Sequence, residues 1–224
     1  MMTEERVAMR SWQEAEAEVY ASMGYGTAQP EADIRHLAET LYAEALRVAR
    51  PRIMYELRPA SLLPRRQVAT GEVIFSPGGI IGSYLDGMTE ICVFVATAGT
   101  EYEAFLHHLK DDGDIVSEFV ADAIGSVVAE HCVDYLDQHL RVLSSLPHSL
   151  PYSPGYCGWD IVEQRLLFSL FPPQPCGVRL TDSCLMSPVK SVSGFFALGE
   201  HLRPQPYRCQ LCTNIHCYKR NDKR

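Results

Sequence analysis

Residues 152–171 read YSPGYCGWDIVEQRLLFSLF and residues 177–198 read GVRLTDSCLMSPVKSVSGFFAL, and these two stretches decide the fold. The segment Ser153–Tyr156 predicts a tight turn, since proline fixes one backbone angle and glycine frees the next. Tyr152 and Tyr156 flank the turn with ring faces and hydroxyls that suit a flat heteroaromatic ligand. An ordinary loop whose tyrosines pack on the core fits the same residues, so the turn alone leaves both interpretations open.

A helix and then strands are predicted after the turn. Asp160 and Glu163 form a capping-box pattern, with Asp160 as N-cap and Glu163 reaching back to it. The helix ends at a pair of prolines, and its predicted buried stripe consists of Val162, Leu166, Leu167, Leu170 and Phe171. Alternating residues predict strands at 178–180 and 183–193, with Pro188 at an edge or bulge.

This order of turn, capped helix and strands resembles the activation domain of cobalamin-dependent methionine synthase. The resemblance is carried by SPGY at 153–156 and by GVRLTDSCLMSPVKSVSG at 177–194. The run from DDGD to ADAIGSVVAE, residues 111–130, is also similar to that domain, in which a long helix crosses behind the ligand site. Because the likeness covers most of residues 90–198, it implies that nearly the whole chain is this module as a stand-alone protein.

The resemblance implies an α+β fold for residues 1–200, a single domain in which a mostly antiparallel twisted sheet is packed by helices, one of them long and buried. It also implies an S-adenosylmethionine site, and the residues that it assigns to this site are Glu130, Tyr152, Ser153, Pro154, Gly155 and Tyr156. Residues 201–224 are expected to form a basic, cysteine-rich tail.

The family chemistry implied by the resemblance is the reactivation of a corrinoid. The domain docks over cob(II)alamin, a reductant such as flavodoxin or ferredoxin supplies one electron, and S-adenosylmethionine methylates the cobalt. The domain positions the methyl group and excludes water, so no catalytic side chain is expected. The 224 residues contain no corrinoid, folate or homocysteine module. The expected partner is therefore a corrinoid protein, most simply a methionine synthase that lacks its own activation domain.

One position departs from the family pattern. The family has an arginine just before its turn, where it suits the methionine carboxylate, whereas this chain has Pro151 and Tyr152. Arg141, Arg165 and Arg179 are the candidates for an arginine that substitutes from elsewhere in the chain.

The tail contains a second candidate site in the spacing Cys209-x-x-Cys212-x-x-x-x-Cys217. Two thiolates with two residues between them can coordinate one metal ion from a tight turn, and a third thiolate can complete part of the coordination. The residues considered for a fourth ligand are Cys157, Cys176, Cys184 and His216. With zinc, the tail would contain a structural metal site that stabilises its fold. With an iron–sulfur cluster, the protein would be an electron carrier or adaptor for a corrinoid methyltransferase. Free, reduced cysteines are the third interpretation.

Composition restricts the function classes. The chain has 20 Lys and Arg against 28 Asp and Glu, a formal charge of −8, which argues against nucleic-acid binding. The charge is uneven, because residues 201–224 carry six basic residues and one acid, a net +5, which leaves −13 for the rest. A basic tail suits an acidic partner or a cofactor phosphate, or is only a solvated terminus. The charged N-terminus and the absence of a long apolar run predict a cytoplasmic protein that does not bind membranes.

The remaining elements follow from periodicity. Helices are predicted at 11–23, 30–50, 101–110 and 115–143, and strands at 52–57, 72–75 and 91–97. Residues 58–70 are expected to form a loop or irregular edge, and residues 80–85 suit either a strand or a short helix. Gly125, inside the long helix, predicts close packing. The alternating polar residues of segment 190–194 suit either a face turned toward a cofactor or partner or the solvent face of a half-buried strand, and the strand interpretation, with Lys190 facing solvent, is favoured.

Overall fold

The computed structural model describes residues 1–203 and 205. Within them the helices are α1 (Trp12–Ser22), α2 (Ala32–Val48), α3 (Gly78–Gly82), α4 (Thr100–Asp111), α5 (Ile115–Leu143) and α6 (Gln164–Phe168). The strands are β1 (Thr3–Arg6), β2 (Arg52–Pro59), β3 (Ser61–Leu63), β4 (Gln67–Thr70), β5 (Val73–Phe75), β6 (Glu90–Thr97), β7 (Arg179–Leu180), β8 (Met186–Ser187) and β9 (Ser191–Leu198).

The main sheet is antiparallel and has four strands in the order β1-β2-β6-β9. Residues 91–97 of β6 are all buried, which confirms the prediction of a central strand from their continuous apolar run. Two smaller sheets pair β3-β4-β5 and β7-β8. The α+β architecture with one long helix is the fold expected from the sequence.

The two faces of the main sheet contribute to two different cores. Toward α5 the sheet presents Ile53, Tyr55, Cys92, Phe94, Ala96, Phe196 and Leu198. On the opposite face it presents Met54, Ile91, Val93, Val95, Phe195 and Ala197, in one cluster with Phe75, Tyr84, Tyr152 and Trp159. The sheet therefore lies between the long helix and the buried rings of Tyr152 and Trp159, whereas Leu146 of the connector packs on the helix side.

Helix α5 takes part in two cores along its 29 residues. Its first half packs among α1, α2 and α4, and its second half packs on the sheet through Cys132, Val133, Leu136 and Leu140. Where the two halves meet, an ideal Cβ on Gly125 would lie 2.4 Å from Tyr102 Cε1 and 2.8 Å from Lys190 Cγ. The predicted close packing at Gly125 is thus confirmed, and its neighbours are a tyrosine and a lysine stem.

Two of the predicted elements are wrong in part, and one alternative left open by the sequence is decided in favour of a short helix. Residues 58–70 are not a loop: β3 and β4 form a hairpin around a turn at Pro64–Arg66, which buries Val68 and Thr70. The predicted long strand at 183–193 is instead the short β8 and the start of β9. Residues 80–85, which suited either state, are the end of α3 and a turn.

The helix after the turn is also shorter than predicted. It consists of a single 3-10 turn, Ile161–Glu163, and the five residues of α6. Within the predicted helix, Gln164, Leu167 and Phe171 are buried, the last of them beyond the end of α6. Val162 and Leu166 of the predicted stripe are exposed. The phase is shifted because Trp159, which is 2% exposed, already fills the core at the start of the helix.

The N-terminal strand is held by a carboxylate that accepts two phenol hydrogen bonds. Tyr55 Oη on β2 and Tyr135 Oη on α5 each donate to Glu5 at 2.6 Å. Both bonds stabilise the charged form of Glu5 and therefore lower its pKa below the ordinary value. The bond from Tyr135 has the larger effect on this pKa. Glu5 thereby joins two strands and the long helix.

We predict that Gly125→Ala destabilises the protein by about 1–3 kcal/mol, because the added methyl overpacks the contact with Tyr102. Urea unfolding followed by circular dichroism measures the change. The matched control is Gly79→Ala on α3, where the structure places no atom within 4 Å of the new Cβ, so it should leave stability unchanged or raise it slightly. Equal behaviour of the two variants would contradict the packing at Gly125.

We also predict an acid-sensitive attachment of β1. A carboxyl whose folded-state pKa is lowered stabilises the fold above its unfolded-state pKa, and this contribution is lost as the pH falls through the folded-state pKa. The free energy of unfolding should therefore fall between roughly pH 5 and pH 3, and Glu5→Gln should flatten this part of the profile. Glu4→Gln, at the neighbouring exposed position, should leave the profile unchanged; if both variants flatten it equally, Glu5 is not its source.

Candidate functional site

The segment before the turn lies along the outer edge of β9. Tyr152 exchanges two backbone hydrogen bonds of 2.9 Å with Phe195, and Ser149 N donates to Ala197 O at 2.8 Å. His148 forms a further bridge with Leu198. The exposed edge of the main sheet is thereby covered, and the start of the turn is fixed relative to strand β9.

The turn closes on itself through its own backbone. Tyr156 N donates to Ser153 O at 3.2 Å, Gly155 N to Trp159 O at 2.8 Å, and Trp159 N to Tyr156 O at 2.9 Å. Gly155 has a φ of +91°, a conformation that glycine adopts without strain. The predicted turn is therefore present, and the amides of Gly155 and Tyr156 bond within the loop.

The five turn residues are not equally accessible. Tyr152 is buried and its ring stacks on Tyr84 at a centroid distance of 6.1 Å, so its ring faces belong to the core. Burial raises the pKa of Tyr152. Pro154 is also buried, Ser153 is half-buried, and Gly155 is exposed. Tyr156 is 41% exposed, so it is the aromatic ring of the turn that a ligand can reach.

Trp159 and Glu163 support the turn from behind, a pair that sequence reasoning missed. Glu163 Oε2 accepts from Trp159 Nε1 at 2.6 Å and from the backbone N of Ser76 at 2.8 Å. Glu163 therefore does not reach back to its N-cap, as the capping-box pattern predicted, whereas Asp160 does accept from Val162 N at 3.0 Å. A tryptophan four residues before a glutamate was the available signal, since a buried indole N–H requires an acceptor.

Glu130 lies on the stripe of α5 that faces the edge of β9. One helical turn earlier, Ser126 Oγ accepts from Lys190 Nζ at 3.0 Å, and two turns later Asp137 Oδ1 is 3.2 Å from His148 Nε2. Residues spaced by three and four positions share one side of a helix. The half-buried Glu130 is therefore bracketed by contacts to the residue before β9 and to the segment beside it.

Gly194 brings the turn against β9. An ideal Cβ at this position would lie 2.2 Å from Tyr152 O and 2.9 Å from Ser153 Oγ, a separation that no side chain tolerates. The glycine of the SVSG motif is thus required by the close approach of the turn. On the preceding residue, Ser193 Oγ is buried and has no hydrogen-bond partner within the described residues. An unsatisfied buried hydroxyl is the kind of group that a water or ligand pairs with.

The arginines considered as substitutes lie apart from one another. Arg141 is on the same stripe as Glu130, about 16 Å further along the helix axis, and contacts Asp137 at 3.5 Å. Arg165 donates to Asp182 O at 2.5 Å and to Cys184 Sγ at 3.1 Å. Arg179 is exposed on β7.

A cavity of about 520 Å³ lies where α5 ends. It is lined by Asp137, Arg141 and the connector residues 144–150. The lining combines an acid, a base, an imidazole and several serines, and it includes neither Glu130 nor a residue of the turn.

The described residues do not form a metal centre. Among residues 1–203 and 205, no three His, Cys, Asp or Glu side chains lie close enough to hold an ion. Cys209, Cys212 and Cys217 lie outside the described residues, as does His216, so the predicted tail site and the electron-carrier alternative stay predictions. Of the fourth-ligand candidates that are described, Cys176 and Cys184 are buried, and burial raises the pKa of the Cys176 thiol to about 12.

Within the described part of the chain, no helix combines the length and the apolar composition that crossing a bilayer needs.

Comparison with known proteins connects the site to a family. Residues 148–214 match the sequence model of the family described as vitamin B12-dependent methionine synthase, activation domain. The matched segment includes the turn, the β9 edge and the SVSG motif. A search of curated proteins found no match.

Solved structures show the fold over nearly the whole chain. A crystal structure of the MetH reactivation domain bound to AdoHcy superimposes with a TM-score of 0.67 at 16% sequence identity. The alignment covers 92% of this chain and 80% of that one. The resemblance inferred from the sequence is confirmed: residues 148–214 carry the pattern of the methionine synthase activation domain, and the chain as a whole has the fold of the MetH reactivation domain.

Proposed function

We propose that this chain binds S-adenosylmethionine in a groove between the middle of α5, at Glu130, and the Ser153–Tyr156 turn, and that it supports the reactivation of a corrinoid protein. The close approach at Gly194 is the observation that carries the proposal, because it holds the turn beside the strand that α5 flanks. The fold match supports it, since the matching reactivation domain was crystallised with AdoHcy.

The side chains of this groove suit the ligand. S-adenosylmethionine carries a sulfonium, an ammonium, a carboxylate and a flat purine. The carboxylate of Glu130 suits either cation, and the exposed ring of Tyr156 suits the purine by stacking. The hydroxyl of Ser153 is a hydrogen-bonding group at the same edge. Because the amides of Gly155 and Tyr156 are used inside the loop, the ligand contacts would come from these side chains and from backbone carbonyls.

The role of the protein in this proposal is positioning. The ligand supplies the methyl group, and the cobalt of the partner is the atom that receives it. The chain would hold the sulfonium in one orientation at the groove and exclude water from it. The partner would be a corrinoid protein, most simply a methionine synthase without its own activation domain, served by a separate reductant such as flavodoxin or ferredoxin.

The surface around the turn suits docking to such a partner. Large apolar side chains are exposed there on the turn and the short helix after it: Tyr156, Ile161, Val162 and Leu166. Contiguous exposed apolar residues beside a ligand groove are typical of protein interaction sites. The turn borders both the groove and this surface, so a partner docked on the surface would also contact the turn.

We predict that isothermal titration with S-adenosylmethionine gives saturable binding, and that Glu130→Gln weakens it by about 10–100-fold through loss of a charge-assisted contact. Glu118→Gln, three helical turns earlier on α5, is the matched control and should bind as the unaltered protein does. The titration is repeated with a cobalamin-loaded methionine synthase that lacks its activation domain. No heat in either titration would rule the proposal out.

A further inference from the structure

Lys190 is the charged residue that the described part of the chain buries most completely. Its side chain is 10% exposed, and its stem packs over Gly125 on α5. The ammonium Nζ lies 2.7 Å from Asp122 Oδ1 and 3.0 Å from Ser126 Oγ. The sequence predicted a solvent-facing lysine here, and that prediction is wrong, because the residue turns toward the helix just before β9 begins.

Holding the strand does not require this ammonium. The backbone around Lys190 is fixed independently, since Ala98 N donates to Lys190 O at 2.9 Å and Glu103 Oε1 accepts from Val189 N at 2.9 Å. Burying a cation is costly unless its donors are satisfied. An apolar side chain at position 190 could fill the space over Gly125 equally well. Packing therefore does not explain why this position carries a charge.

The surroundings of the Lys190 ammonium leave one of its N–H donors available to an anion. A lysine ammonium has three N–H donors, and within the described residues Asp122 and Ser126 take two of them. The Asp122 side chain is 59% exposed, so it is a solvated partner that can move aside without being buried itself. A ligand carboxylate can therefore join the ammonium without leaving an acid unpaired in the core.

Lys190 lies at one end of the proposed ligand groove. On α5, its partner Ser126 is one turn, about 6 Å, from Glu130. Along the strand direction, Lys190 is four residues, about 13 Å, from Gly194, against which the turn packs. Lysine ammonium, glutamate and turn thus follow one another along the groove, in the order in which an extended amino-acid nucleoside presents its carboxylate, its cations and its purine.

We propose that Lys190 pairs with the carboxylate of the amino-acid portion of S-adenosylmethionine. The inference rests on the proposed function and adds a specificity-determining residue to it. Arg141 is less well placed, because it lies about 16 Å beyond Glu130 in the other direction, and the guanidinium of Arg165 is already bonded to Asp182 and Cys184.

The experiment compares two ligands that differ only in this carboxylate. S-adenosylmethionine and decarboxylated S-adenosylmethionine are titrated calorimetrically into the full chain and its Lys190→Met variant. The variant should weaken binding of S-adenosylmethionine by about 10–100-fold and change binding of the decarboxylated ligand by less than about threefold. Lys190→Arg, which keeps the charge, should restore most of the discrimination, and Arg141→Met should leave both ligands unaffected.

Each other outcome overturns the inference in a distinguishable way. Equal weakening of both ligands by Lys190→Met would assign Lys190 a structural role. No weakening of either would remove it from the site, and selective loss in Arg141→Met would transfer the role to Arg141. If Lys190→Met does not fold, Lys190→Arg and Lys190→Gln carry the comparison. If the unaltered chain binds neither ligand, the proposed function itself fails and this inference fails with it.

Discussion

The edge of β9 is the constraint on which the rest of the site depends. A strand at the edge of a sheet has unpaired amides and carbonyls, and here the segment ending at Tyr152 pairs with them. Pairing at this distance requires a residue without a side chain at Gly194, where any Cβ would overlap Tyr152 O. One glycine therefore decides where the turn lies, and the turn decides which side chains surround the groove.

Helix α5 supplies the other wall because it belongs to two cores. Its first half is held among helices and its second half on the sheet, so its position relative to β9 is determined at both ends. The side of the helix that faces β9 carries the half-buried polar residues Ser126, Glu130 and Asp137. Because a rigid helix presents them, this wall of the proposed groove would be in place before a ligand binds.

The sequence predicted the elements whose patterns are local and missed what depends on contacts across the fold. The 29-residue helix and the buried strand β6 follow from periodicity and continuous apolarity. Periodicity does not predict which side of α6 is buried. That side depends on Trp159, which fills the core, and on the hydrogen bond of Glu163 to Ser76, which is 87 residues away in the chain. Lys190 was misassigned for the same reason: alternation places it on a strand face, while Gly125 on a distant helix leaves the space that its stem fills.

The shifted phase of α6 explains why the loop exposes apolar residues at all. With Gln164 and Leu167 turned inward, Val162 and Leu166 necessarily point outward, and Val162 is 56% exposed. An amphipathic helix of an isolated domain normally turns such residues toward its own core. Here the indole of Trp159, which is hydrogen-bonded to Glu163, occupies the core beside this helix. The side chains of Val162 and Leu166 therefore remain exposed to water. The same tryptophan also closes the turn through its backbone bonds with Gly155 and Tyr156. The exposed surface and the geometry of the turn therefore have one cause, so the proposed partner docking and the proposed ligand positioning would both depend on the same small unit of the fold.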